Sequence, residues 1–103
     1  MGNFTLHIYG ADDEIVKTYE QKRVRFGLLE EAIKIGEDNA GKKPAQYIGE
    51  IKKTVKAIFP DMTDEHMALA DFFDVVNVFK QLQRKAEALL GNGSKNTIPT
   101  RIV

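Results

Sequence analysis

The chain changes its hydrophobic period once, near Gly27, and that change restricts its fold more than any other feature. Ahead of it the apolar residues alternate. Phe4, Leu6 and Ile8 fall on one side and Thr5, His7 and Tyr9 on the other, the period of a half-buried strand. "GADDE" at 10–14 supplies turn chemistry, because Gly and Asp tolerate the dihedrals a hairpin needs. "IVKTYE" at 15–20, rich in β-branched and aromatic residues, reads as the return strand. The pattern predicts a β-hairpin over residues 3–20. An isolated hairpin is marginal in water, so another element must cover its apolar face.

Beyond Gly27 the period is helical. Leu29, Ala32, Ile33 and Gly36 line one stripe, flanked by Leu28 and Ile35, and Glu30 with Lys34 forms an i,i+4 pair. Gly41 in "DNAGKK" suits the C-terminal end of that helix. Pro44 suits the first turn of the next, in which Ile48, Ile51, Val55 and Ile58 recur until Pro60 stops it. Thr63 is placed to cap a further helix, with Asp64 and Glu65 in its first turn where the helix dipole favours negative charge. Asp71 marks a second start or a kink. From there Phe72, Val75, Val76, Phe79, Leu82, Ala86 and Leu89 form a long apolar stripe. "GNGSKNTIPTRIV" at 91–103 has no periodicity and reads as a flexible tail. The expected architecture is α+β: an N-terminal β-hairpin followed by three to four helices, mainly helical, as one domain over 1–90 with a tail at 91–103.

Chemistry-bearing constellations are absent from the pattern. There is no cysteine, and the two histidines, His7 and His66, lie too far apart in the chain to form a ligand motif. "DMTDEHMALA" lacks the third- and fifth-position acids or amides and the sixth-position Gly of a calcium loop. Ser94, the only serine, lies in the tail, and no Gly-rich phosphate loop occurs. The expectation is a non-enzymatic protein with no cofactor and no metal. No apolar stretch approaches the roughly 20 residues of a membrane span, and the N-terminus lacks the pattern of a secretory signal. A soluble intracellular protein is expected.

Partners are a more open matter. The 22–25 run "KRVR" belongs to a basic 17–25 region, and a nucleic-acid-binding regulatory domain gripping through that region is the second reading. Against it stand a formal net charge of zero and a possible recognition helix whose start carries Asp61, Asp64, Glu65, Asp71 and Asp74. The last helix offers a different hint. A domain of 103 residues needs most of its aromatics in the core, yet Phe73 and Val78 fall off the face defined by Phe72, Val75 and Phe79. A helix apolar over more than one stripe is either central or adhesive.

"FTLHIYGADDEIVKTYEQKRVRFGLLEEAIKI" resembles the N-terminal half of the small tail assembly chaperones of long-tailed phages, particularly those of Gram-positive hosts. In that family a strand pair leads through a basic, aromatic-Gly junction into a helix. "VKAIFPDMTDEHMALADFFDVVNVFKQL" is similar to the family's second half: a helix ending in aromatic-Pro, an acidic turn, and a final helix of the pattern D-D-V-x-x-V-F-x-Q-L. The resemblance covers about residues 4–84. Leu69, and the phenylalanines of "DFFD" at 71–74 where relatives often carry polar residues, depart from it.

The resemblance implies a morphogenesis factor of the bacterial host cytoplasm that coats the tape measure protein, helps recruit tail tube subunits and is absent from the mature virion. Self-association is a further expectation. So is a longer form made by ribosomal frameshifting, for which Ser94-Lys95-Asn96 is compatible with a slippery A-AAA-AAC. "KRVRF" then reads as a junction with Val24 and Phe26 inward and Lys22, Arg23 and Arg25 outward. The candidate partner-binding residues are Arg23 and Arg25 on a basic rim and Phe72, Phe73, Val76, Val78 and Phe79 on the last helix.

Overall fold

The structure, a computed structural model, describes residues 4–90. The tail expected over 91–103, with Ser94, Lys95 and Asn96, lies outside the described residues. Strands β1 (Phe4–Tyr9) and β2 (Ile15–Gln21) pair antiparallel as a hairpin. Helices α1 (Phe26–Asp38), α2 (Ile48–Ile58), α3 (Asp64–Leu69) and α4 (Phe72–Leu90) follow, with a short 3-10 turn over Pro44–Tyr47 ahead of α2. This is the α+β arrangement that the period change predicts.

The alternation in β1 translates directly into burial: Phe4, Leu6 and Ile8 are buried and their neighbours are not. Leu6 pairs with Tyr19, the buried residue of β2, so both strands present one apolar face. A bulge at Ile8/Tyr9 shifts the register so that Tyr9 faces Ile15. In the turn it is Asp13, with φ 64, that takes the left-handed conformation.

Helix boundaries follow capping chemistry. The Thr63 hydroxyl accepts a hydrogen bond from the His66 backbone N–H at 3.1 Å, and Asp71 Oδ2 accepts from the Asp74 N–H at 3.1 Å. Asp71 is thus a second helix start rather than a kink. Ala70, between α3 and α4, forms a lone β-bridge with Ile8 on the edge of β1 that β2 does not cover. At the end of α1 the chain turns through Gly41 at φ 86. There the buried Asn39 amide donates to the Ile35 carbonyl and to Glu50 Oε1, both at 2.8 Å, tying α1 to α2. Lys34 pairs with Asp38 (3.6 Å) one turn onward, rather than with Glu30 as the spacing suggested.

α4 is the central element. It packs against α1, α2 and β1, and Val75, Val76, Val78, Phe79, Leu82 and Ala86 join Phe4, Leu6, Ile8, Ile51 and Val55 in one buried cluster. Replacing Phe79 with Ala should cost about 3–5 kcal/mol of unfolding free energy in urea titration. Phe73→Ala should change it by no more than about 0.5 kcal/mol. Equal losses at the two positions would contradict this placement of the core.

Candidate partner-binding surface

The candidate residues divide into three groups. Arg23 and Arg25 are exposed on the loop between β2 and α1. Phe72 and Phe73 are exposed at the start of α4, by 41% and 70%, their rings in a T-shaped contact with centroids 5.3 Å apart. Val76, Val78 and Phe79 are buried and cannot form a surface, which corrects their assignment to a partner face. Their position explains the wide apolar stripe. Val78 looks off the helix face because the stripe was judged against a single neighbour. In the fold β1 runs beside that flank, and Val78 borders a hollow with Thr5, His7 and Tyr9.

Phe26 also departs from expectation. It is 60% exposed rather than inward. Helical side chains lean toward the N-terminus, so a residue in the first turn projects past the end of the packed stripe. Val24, by contrast, is half-buried against the core, as the junction reading predicts.

Four further apolar residues are exposed that the pattern did not single out for this surface: Ile15, Val16, Leu69, and Leu89, which the pattern had placed on the apolar stripe of the last helix. The register locates the first three. Ala70 bridges Ile8, the next residue Tyr9 faces Ile15, and Phe72 lies two positions beyond Ala70. Leu69, Phe72 and Phe73 therefore stand in the chain on either side of the residue that bridges the outer edge of β1, whereas Ile15 and Val16 stand on β2 next to the hairpin turn. A signal for two of them was present: consecutive apolar residues in a strand point to opposite faces, so one of Ile15 and Val16 has to leave the core side.

The arginines sit at the other end. Gln21, which precedes their loop, pairs with Phe4. From Ile8 to Phe4 the strand advances roughly 13 Å. The fold therefore separates the basic and aromatic candidates instead of joining them. Arg23 and Arg25 line a cleft of about 420 Å³ with apolar walls from Val24, Leu28, Ala57 and Pro60. The remaining basic residue of β2, Lys17, is placed elsewhere, with its Nζ 5.3 Å from the centroid of the Tyr19 ring.

Between the two ends, α3 is held to the hairpin and to α2 by polar contacts. Tyr19 Oη and His66 Nδ1 are 2.6 Å apart in a hydrogen bond. Lys56 Nζ donates to Asp64 Oδ1 at 2.7 Å. That hydrogen bond, with the positive charge of the same lysine, holds the Asp64 carboxyl below its ordinary value. Among the described residues no three His, Cys, Asp or Glu side chains gather to hold a metal ion, and no helix is long and apolar enough to cross a membrane.

Comparison with family models, with curated proteins and with solved structures yielded no match to this chain.

Because the folded-state pKa of Asp64 is depressed, its stabilising contribution exists above the unfolded-state pKa and disappears as pH falls through the folded value. Lys56→Ala should raise the Asp64 midpoint in an NMR titration toward that of an ordinary carboxylate. The gap in Tm between wild type and variant should close as the pH drops through that range. A midpoint unmoved by the substitution would show that the ion pair does not form in solution.

Proposed function

We propose that this chain is a tail assembly chaperone: a non-enzymatic binding protein that covers the tape measure protein of a long-tailed phage in the bacterial cytoplasm, aids recruitment of tail tube subunits, and is not retained in the virion. The observation that carries this reading is the set of exposed apolar side chains, Phe72 and Phe73 at the start of α4 with Leu69 before them and Ile15 and Val16 on β2. Solvent-exposed phenylalanines are favourable only if something covers them. Each large apolar side chain fully buried by a partner contributes about 1.5–3 kcal/mol.

The chemistry of the surface suits the role. A tape measure is a long, apolar helical protein that aggregates when exposed, and many small domains can shield it. Tube subunits must later displace them. Limited exposed apolar residues with the charges Asp71 and Asp74 adjoining Phe72 and Phe73 in the chain favour binding that is firm but reversible over a permanent interface. The order of motifs across residues 4–84, from the basic junction through aromatic-Pro to the final helix, supports the same assignment.

Co-expression with the tape measure protein encoded in the same genome, followed by size-exclusion chromatography, tests the proposal. The tape measure protein should become soluble and elute with several copies of this chain. Phe73→Ser combined with Leu69→Ser should lower the co-eluting fraction at least about fivefold without unfolding the domain, since neither side chain is buried. A tape measure protein that stays insoluble beside folded wild-type chain would overturn the assignment.

A further inference from the structure

A cleft of about 420 Å³ lies among residues of β2, α1, the loop between them and the end of α2. Its volume lies within the range of ligand-binding clefts, about 300–1,000 Å³. Neither Arg23 nor Arg25 forms an ion pair with any described residue. Beside them α1 begins without help: no side chain caps its first N–H groups, and no acidic residue stands in its first turn. Two arginines and the positive end of a helix thus line this cleft with Glu31 as the one carboxylate among its lining residues, a net positive set. The floor is apolar, formed by Val24, Leu28, Ala57 and Pro60. Beside it Gln21 Nε2 donates to the Ile58 carbonyl in a long hydrogen bond of 3.4 Å that joins β2 to α2.

We infer that this cleft binds an acidic–apolar peptide segment of a partner protein, with a carboxylate held by Arg23 and Arg25 and the adjacent apolar side chain on Val24, Leu28 and Pro60. Charge complementarity selects the carboxylate, and the apolar floor selects what stands next to it. A nucleic-acid backbone fits less well. It needs a run of cations, whereas Glu31 lines the same cleft and Glu20 lies beside its mouth. The covering role proposed above concerns the exposed apolar residues, so the two stand or fall separately.

The full chain, labelled with nitrogen-15, is titrated with the end-blocked peptide Gly-Asp-Leu-Phe-Glu-Gly and with its amide twin Gly-Asn-Leu-Phe-Gln-Gly. Amide shifts should be confined to residues 21–31 and 57–59. Affinity should fall at least about tenfold for the twin, and equally for the double variant Arg23→Glu, Arg25→Glu. Phe73→Ser should bind as the wild type does. Both arginines are exposed, so the double variant should keep its amide dispersion, and Arg25→Lys, which keeps the charge, should bind with intermediate affinity. Equal binding of the twin, shifts centred elsewhere, or no shifts at millimolar peptide would overturn the inference. So would tighter binding of a twelve-nucleotide single strand that the same reversal abolishes, or sedimentation showing self-association through these arginines, which would assign the cleft to phosphate or to a second copy.

Discussion

The apolar face of β1 needs a cover, and the rest of the structure depends on how that need is met. Two strands cannot bury Phe4, Leu6 and Ile8 between themselves, because their side chains all leave the sheet on one side. α4 meets the demand and in doing so becomes the centre of the domain. It contacts β1 on one flank and α1 and α2 on others, so it is apolar around more of its circumference than a surface helix. Asp71 sets where it begins, and the bridge from Ala70 to Ile8 sets where that beginning lies relative to the sheet.

That geometry also decides what remains outside. Once Val75, Val76, Val78 and Phe79 turn inward, Phe72 and Phe73 in the first turn of α4 are left exposed, their rings in contact with each other. The bulge at Ile8/Tyr9 acts similarly on β2, where Ile15 and Val16 stand exposed next to the turn. At the far end α1 must start abruptly after a strand, and its uncapped N-terminus, flanked by arginines, is the consequence.

A formal net charge of zero conceals this division into an apolar end and a basic cleft. Long-range steering by the whole molecule is therefore weak, and recognition has to come from local patches. The proposed roles follow that division, with an extended apolar partner at the exposed apolar residues and an acidic, partly apolar segment at the junction.

Much of the architecture was legible without coordinates, because local rules govern it. Alternation places Phe4, Leu6 and Ile8 on one face, hydroxyl and carboxylate caps start helices at Thr63 and Asp71, and Pro60 ends α2. The surface was much less legible. Periodicity reports which residues share a helix face, but not how many faces have neighbours, and so Val76, Val78 and Phe79 were read as surplus when they are core. It reports equally little about helix ends, where the lean of side chains carried Phe26 into solvent. The sequence by itself determined the order of the elements and most of their limits, since hydrogen bonding and capping act over three or four residues; the start of the second helix, expected at Pro44, is a 3-10 turn over Pro44–Tyr47 with α2 beginning at Ile48. Only the tertiary structure decided that the arginines and the phenylalanines would stand at opposite ends of the hairpin, because that separation is set by strand register and by the single bridge between Ile8 and Ala70, which no local pattern encodes.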